Sequence, residues 1–468
     1  MVKRVAFLAM ALALLTGSIF AGAHPGGIAR ELALGGGLLS PAAGFGPNLA
    51  LNPFIVDDPT LMLLNPAYQQ MYRNYAWMNI AGGAVSGFNS AADNGYGRQF
   101  AGANFSFGKE VTIGAVLSFD PSFANLLVNQ LAAFTNGVRP GGAQTGLRPV
   151  DVFEVTGTYD LGSLTVGAGI LYGWAKNDSK NATAPVPPAS SSTELSASVI
   201  GFRLGAIVDM GGGSSFDVSG ALRLDKATDN VDGTNAAGAP ADLGNYSASG
   251  TEIQVEGRIK LKMSNKVNFV PYAAFGNLSA EPKQDAPQTG AAKFTGSTKL
   301  SAMLLAVGAG MEYRITNFYF AGGVSFRTSH AKVESTPPLP ATGTTTQTTS
   351  ATEVPVFNLG AEWTLLDWLI GRMGYYRTFM SVGQKTERPA GASTTEVNTW
   401  AGNSSVFIGS YAGTDNSLIT LGLGLRFGNF SLDGTVSDEA IRRGLGLIGA
   451  QDNINTFGYL TTSFNFAE

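Results

Sequence analysis

The residues able to do chemistry in this chain are charged side chains set one by one between apolar neighbours. Thr251 to Met263 shows the pattern most clearly: Ile253, Val255, Gly257, Ile259, Leu261 and Met263 alternate with Glu252, Gln254, Glu256, Arg258, Lys260 and Lys262. Only a strand sends successive side chains to opposite faces, so this stretch reads as a β-strand with one apolar and one polar side. The same alternation sets Phe216, Val218, Leu222 and Leu224 opposite Asp217, Arg223 and Asp225, and Ile419, Leu421, Leu423, Leu425 and Phe427 opposite Arg426. Collected over all strands, Arg203, Arg223, Glu252, Glu256, Arg258, Glu312, Arg314, Glu362, Arg372 and Arg426 fall on one predicted inner face. Their mixed signs predict a network of ion pairs bracing a wall, because a selective pore would more plausibly carry a ring of one sign.

Catalysis and metal binding find little support. The chain has two histidines, His24 and His330, and His330 lies before a polar loop with no sequence-visible nucleophile to serve. Without cysteine there is neither a disulfide framework nor a thiolate metal site. Gly35-Gly36-Gly37 lacks the strand, helix and lysine context of a phosphate loop. No catalytic residue, metal or cofactor is therefore expected, and a net charge of −4 gives no sign of a nucleic-acid partner.

The elements that must position these charges follow from the rest of the chain. Residues 1–23 read as a cleaved export signal: Lys3 and Arg4, an apolar run from Val5 to Leu15, then Ala21-Gly22-Ala23. Residues 24–74 are apolar and glycine-rich without alternation, which suits a segment that fills a lumen; a loose periplasmic tail is the alternative. Asp58 and Pro59 mark a helix start, and Asn65-Pro66 breaks that helix. From Tyr75 onward about sixteen strands follow, with fourteen as the alternative count. Tight turns such as Gly211-Gly212-Gly213 and Ser264-Asn265 alternate with long polar connections at 176–193, 226–249, 279–297, 335–352 and 383–415. Pro271 inside a strand predicts a bulge. Thr456 to Phe466 ends the chain as a strand with Leu460, Phe464 and Phe466 on one face. The expected fold is all-β: a transmembrane antiparallel barrel with an N-terminal plug, the barrel spanning residues 75–468. The implied surroundings are bacterial outer-membrane lipid, reached with help from barrel-assembly machinery.

Val56-Asp57-Asp58-Pro59-Thr60-Leu61-Met62-Leu63-Leu64-Asn65-Pro66-Ala67, followed by Trp77-Met78-Asn79-Ile80-Ala81-Gly82-Gly83-Ala84-Val85, resembles the N-terminal region of the FadL-like outer-membrane transporters. That resemblance implies an internal hatch, here Asp57, Asp58, Asn65, Pro66 and Ala67, and uptake of hydrophobic compounds. The connection after the third strand carries Phe123, Leu126, Leu127, Leu131 and Phe134 at helical spacing, a face that would gather an apolar ligand or pack onto the barrel rim. The expected function is passive uptake of small hydrophobic molecules, fatty-acid-like or aromatic. The alternatives are a surface or secretion-associated scaffold that binds proteins through its loops, and a general porin.

Overall fold

In the computed structural model the alternation of apolar and polar residues becomes a closed wall. The structure describes residues 26–36, 52–81, 100–118, 151–183, 189–234, 240–286, 297–336, 344–388, 395–401, 417–436 and 457–466. The strands are β1 (Tyr75–Ala81), β2 (Phe100–Phe107), β3 (Val111–Ser118), β4 (Asp151–Asp160), β5 (Leu164–Thr183) and β6 (Ala189–Gly211). They continue with β7 (Ser214–Thr234), β8 (Pro240–Lys262), β9 (Val267–Ala286), β10 (Ser297–Ile315), β11 (Phe318–Thr336) and β12 (Thr345–Leu366). The last are β13 (Leu369–Glu387), β14 (Thr395–Ala401), β15 (Ser417–Phe427), β16 (Phe430–Val436) and β17 (Phe457–Asn465). Apart from β14 and β15, which both pair with β13, each pairs antiparallel with its sequence neighbours, and β1 pairs with both β2 and β17, which closes the ring. β14 and β15 share one wall position: β14 pairs with the end of β13 near Lys385, β15 with its beginning near Arg372. The barrel therefore has sixteen wall positions, and β1 belongs to the wall.

The polarity is the reverse of a water-soluble protein. Ile253 and Val255 are each 44% exposed on the outside while Arg258 is 6% exposed on the inside. On β5 the outward face runs from Val166 through Ile170 and Tyr172 to Trp174, and then Lys176 pairs with Glu194. From Leu164 to Trp174 is about ten steps of ~3.3 Å, and a ~40° tilt makes that ~25 Å tall, the height of the apolar band of a membrane barrel. Trp363 and Trp368 near the tight turns, with Trp174 at the other edge, supply the aromatic borders of this band. Among the described residues no helix is long and apolar enough to cross a membrane; the strands do so.

Three expectations need correction. The polar connections are much shorter than their composition suggests, since β5 to β13 run for 19 to 23 residues and carry the ladder far into 176–193, 226–249, 279–297, 335–352 and 383–415. Serine and threonine fit a pleated sheet as long as a partner strand continues beside them. Pro271 makes no bulge. The β9–β10 register passes through Pro271 and Ala309 unbroken, and β8–β9 keeps one register on either side of the gap. A strand residue directs its N–H to one neighbour only, so the missing donor costs one side of the ladder. Finally, the helix after Asp58 is two 3-10 turns, Pro59–Leu63 and Pro66–Met71. Asn65 does not merely break the first. It caps the second, its side chain accepting from the Ala67 N–H as Asp58 accepts from Thr60.

Candidate functional site

The described part of the N-terminal segment meets the inward faces of strands on every side of the ring. It comprises one short helix, α1 (Ile28–Ala33), the two 3-10 turns, and the chain joining them to β1. Six residues are too few to satisfy a helix's own end groups, and the wall supplies the difference. The Ala29 N–H donates to Thr461 Oγ1 on β17 at 3.2 Å, and Thr420 Oγ1 on β15 donates to the Ala33 carbonyl at 3.3 Å. Asn358 on β12 reaches the Gly35 carbonyl at 2.8 Å. Phe54, Ile55, Leu61 and Met62 are buried, with Phe54 edge-on to Tyr272 of β9. Inward glycines let the two backbones touch: a methyl group at Gly360 or Gly374 would overlap the chain at Leu34 and Gly35.

Charge holds the rest. Arg30, 1% exposed, places Nη1 3.0 Å from Asp58 Oδ2 and Nε 3.1 Å from Glu362 Oε2. Glu362 also accepts from Arg372 at 2.6 Å, Arg372 lies 2.7 Å from Asp433, and Asp433 lies 2.9 Å from Arg426. Acids and bases thus alternate along a continuous chain from the first 3-10 turn through α1 to β12, β13, β16 and β15. Beside it Arg314 pairs with Asp57 at 3.3 Å, and the Arg30 and Arg314 guanidiniums both lie over the Tyr319 ring. Glu312 accepts from the Val56 N–H and from Tyr319. A second group covers the opposite wall. Arg203 pairs with Glu154 at 2.5 Å and donates to the Leu63 carbonyl, and Arg223 pairs with Glu252 at 3.1 Å. Arg258 approaches Asp217 at 3.4 Å and the Ile55 carbonyl at 3.2 Å, and Tyr68 donates to Asp217 at 2.8 Å. Glu256 accepts from Ser219 at 3.3 Å.

All ten charged residues expected on the inner face lie there, in these two groups. The residues expected to form a hatch are also inside: Asp57 and Asp58 in the first group, Asn65 against the Ala206 and Val218 carbonyls, Pro66 and Ala67 against Gly167. Sequence reasoning missed Arg30, Glu154 and Asp433 as partners, and the buried pair of Arg327 on β11 with Glu353 on β12, 4.0 Å apart. Glu154 and Asp433 sit in strands that alternate as clearly as β8, so their signal was available. Arg30, in a segment without period, had none. Phe123, Leu126, Leu127, Leu131 and Phe134 lie outside the described residues, as do residues 1–23. His330 faces outward and exposed on β11, a strand that runs on to Thr336.

Buried Glu31 accepts from the Asn52 N–H at 3.0 Å. Burial, reinforced by the nearby Asp58 charge, pushes its carboxyl well above the ordinary range. No group of three or more acidic or histidine side chains is arranged to hold a metal ion among the described residues.

Toward the end with the long connections the inner wall turns apolar. Ala248, Leu278, Ala280, Leu300 and Ala302, on β8 to β10, are buried together on the inward side. Nearer the segment, a cavity of about 20 Å³ separates Leu63 and Leu64 from Ser219 and Ala221 of β7.

The fold and its inverted polarity define a transmembrane β-barrel. No protein-family model matches the sequence, and no curated protein matches it significantly. Among solved structures it is similar to the Pseudomonas putida toluene transporter TodX, at 10% identity over 92% of this chain and 98% of that one, TM-score 0.36. The monoaromatic hydrocarbon channel CymD aligns at 11% identity over 93% and 99%, TM-score 0.33. The alcaligin outer-membrane receptor FauA of Bordetella pertussis aligns at 9% over 83% and 75%, TM-score 0.35. Likeness at this level carries no argument about function.

Proposed function

We propose that this barrel sits in the bacterial outer membrane, tight turns toward the periplasm, and that it takes up small hydrophobic molecules passively past an N-terminal plug. The observation that carries the reading is the inward apolar cluster around Leu278 and Leu300. A water-filled porin has a polar interior, whereas this part of the inner face is apolar and kept from water, the environment that suits an apolar solute. The segment from residue 24 to 74 acts as the plug, and resembling the FadL-like transporters in the Asp57–Ala67 stretch is consistent with that role. Its paired charges face one another across the seam, so they favour no ion. The chain acts without catalysis, residues 1–23 being removed on export.

The test is uptake of the apolar dye N-phenylnaphthylamine by intact cells lacking the protein, then supplied with the native chain or with Leu300→Glu. Uptake restored by the native chain and not by Leu300→Glu supports the reading. Equal uptake in all three, extended to other apolar compounds, sinks it.

A second reading rests on the length of β5 to β13, which stand far beyond the apolar band and offer a rigid surface for protein partners. Stoichiometric co-purification of a partner that is lost on shortening β6 and β7 would favour that scaffold role.

A further inference from the structure

Contact between plug and wall is uneven around the ring. From β10 to β15 the wall meets the plug without slack: a methyl at Gly310 would overlap the Phe54 ring, one at Gly374 the Gly35 backbone, one at Gly422 the Ala33 side chain. On β5 and β6, Gly167 and Gly205 meet Ala67 and Asn65 in the same way. The alternating acid–base chain from Asp58 to Arg426 fixes the same side.

Over Leu63 and Leu64 the fit is different. The cavity of about 20 Å³ lies there, opposite Ser219 and Ala221. Leu64 is half-buried where Leu61, Met62 and Leu63 are buried. A methyl added at nearby Gly201 would meet Arg223 and Leu171 only at an ordinary 3.4 Å. Beneath the cavity, Asn65 holds the wall through two long hydrogen bonds, 3.3 Å each, to the Ala206 and Val218 carbonyls. The charges around it are already engaged, Arg203 with Glu154, Arg223 with Glu252, Glu256 with Ser219. Paired in this way, their charges are compensated within the wall and do not stand free in the gap.

We propose that the plug is a fixed frame with one yielding edge, and that a small apolar solute passes between Leu63–Leu64 and the inner face of β7. Passage requires Leu64 to swing, the two Asn65 hydrogen bonds to part and Arg203 to release the Leu63 carbonyl, while α1 and the turn holding Phe54 stay docked. This inference rests on the transport reading above.

The chain has no cysteine, so a single introduced thiol reports one position. In Ala221→Cys, modification with a bulky methanethiosulfonate in intact cells is expected to cut N-phenylnaphthylamine uptake at least ~tenfold, as filling a constriction does. Leu64→Ala, which widens the same gap without a reagent, is expected to raise uptake. Full modification with unchanged uptake, failure of the thiol to react in the folded protein, or no gain from Leu64→Ala each overturns the inference while leaving transport standing if the native chain still restores uptake. No uptake by the native chain overturns both.

Discussion

Replacing Arg30 by Met removes the cation that links Asp58, the cap of the first 3-10 turn, to Glu362 on the wall. Asp58, fully buried, then loses its partner at 3.0 Å but keeps the Thr60 N–H, the Thr60 hydroxyl and the Gly27 N–H. Glu362 loses one guanidinium and keeps Arg372. Taking one partner out of a buried ion pair costs ~3–5 kcal/mol, and the surviving donors put this case near the lower end, about 3 kcal/mol. At ~1.4 kcal/mol per tenfold, undocking of the N-terminal segment becomes about 150 times more frequent. The loss of the Tyr319 stacking contact adds to this. Planar-bilayer recordings read the result as opening events: the native chain nearly silent, Arg30→Met opening on the order of a hundred times as often. The double variant Arg30→Met/Asp58→Asn separates the cause, because removing both buried charges leaves no stranded carboxylate and most of the quiet should return. An Arg30→Met protein as quiet as the native one, or a double variant noisier than the single, would refute the reasoning.

Three further outcomes are expected. Gly360→Val drives a side chain into the Leu34 carbonyl, an overpacking that costs ~1–3 kcal/mol; trypsin should then cut after Arg30, which the native fold protects, and equal cleavage times would contradict the glycine contacts. Val324, 43% exposed near the middle of the band, faces lipid, so Val324→Arg should destabilise the barrel by ~2–4 kcal/mol in vesicle-based urea unfolding, and a change near zero would argue against that face meeting lipid. Burial raises the Glu31 and Asp58 carboxyls above their unfolded values, so their contribution is complete below the ordinary carboxylate range and is lost as pH rises through the folded values. Proteolysis after Arg30 should therefore quicken as pH rises from acid toward neutral, and Glu31→Gln should flatten that dependence; a profile of the opposite slope would contradict the assignment.

The wall was legible in the sequence because a lipid-facing strand must alternate. Glu252 to Lys262 against Ile253 to Met263 fixes both the strand and which side is inside, and turns such as Gly211-Gly212-Gly213 mark one end. Where both faces are apolar the rule goes silent. On β10, Leu300 and Ala302 point inward beside outward Met303 and Leu305, so the apolar inner cluster gave no alternation to read. The ionic chain was half legible: Glu362 and Arg372 sit opposite each other in register across β12 and β13, but Arg30 joins them from 332 residues away in sequence. Asp58 and Asn65 were readable as caps because a short polar side chain before proline has a local job. Which strand would receive each turn depended on the inward glycines, whose meaning comes only from what approaches them.

The hydrogen bond from Ala29 to Thr461 has a consequence for how the barrel is made. Thr461 belongs to the last strand and also donates to Asn79 of the first, so a single hydroxyl sits where helix, first strand and last strand meet. The β1–β17 ladder closes the ring, and α1, bonded to the same hydroxyl, adds to the stability of that seam. A chain whose N-terminal segment is late or altered would close with a weaker seam, leaving the two strand edges that meet there open for longer to pairing with a second copy.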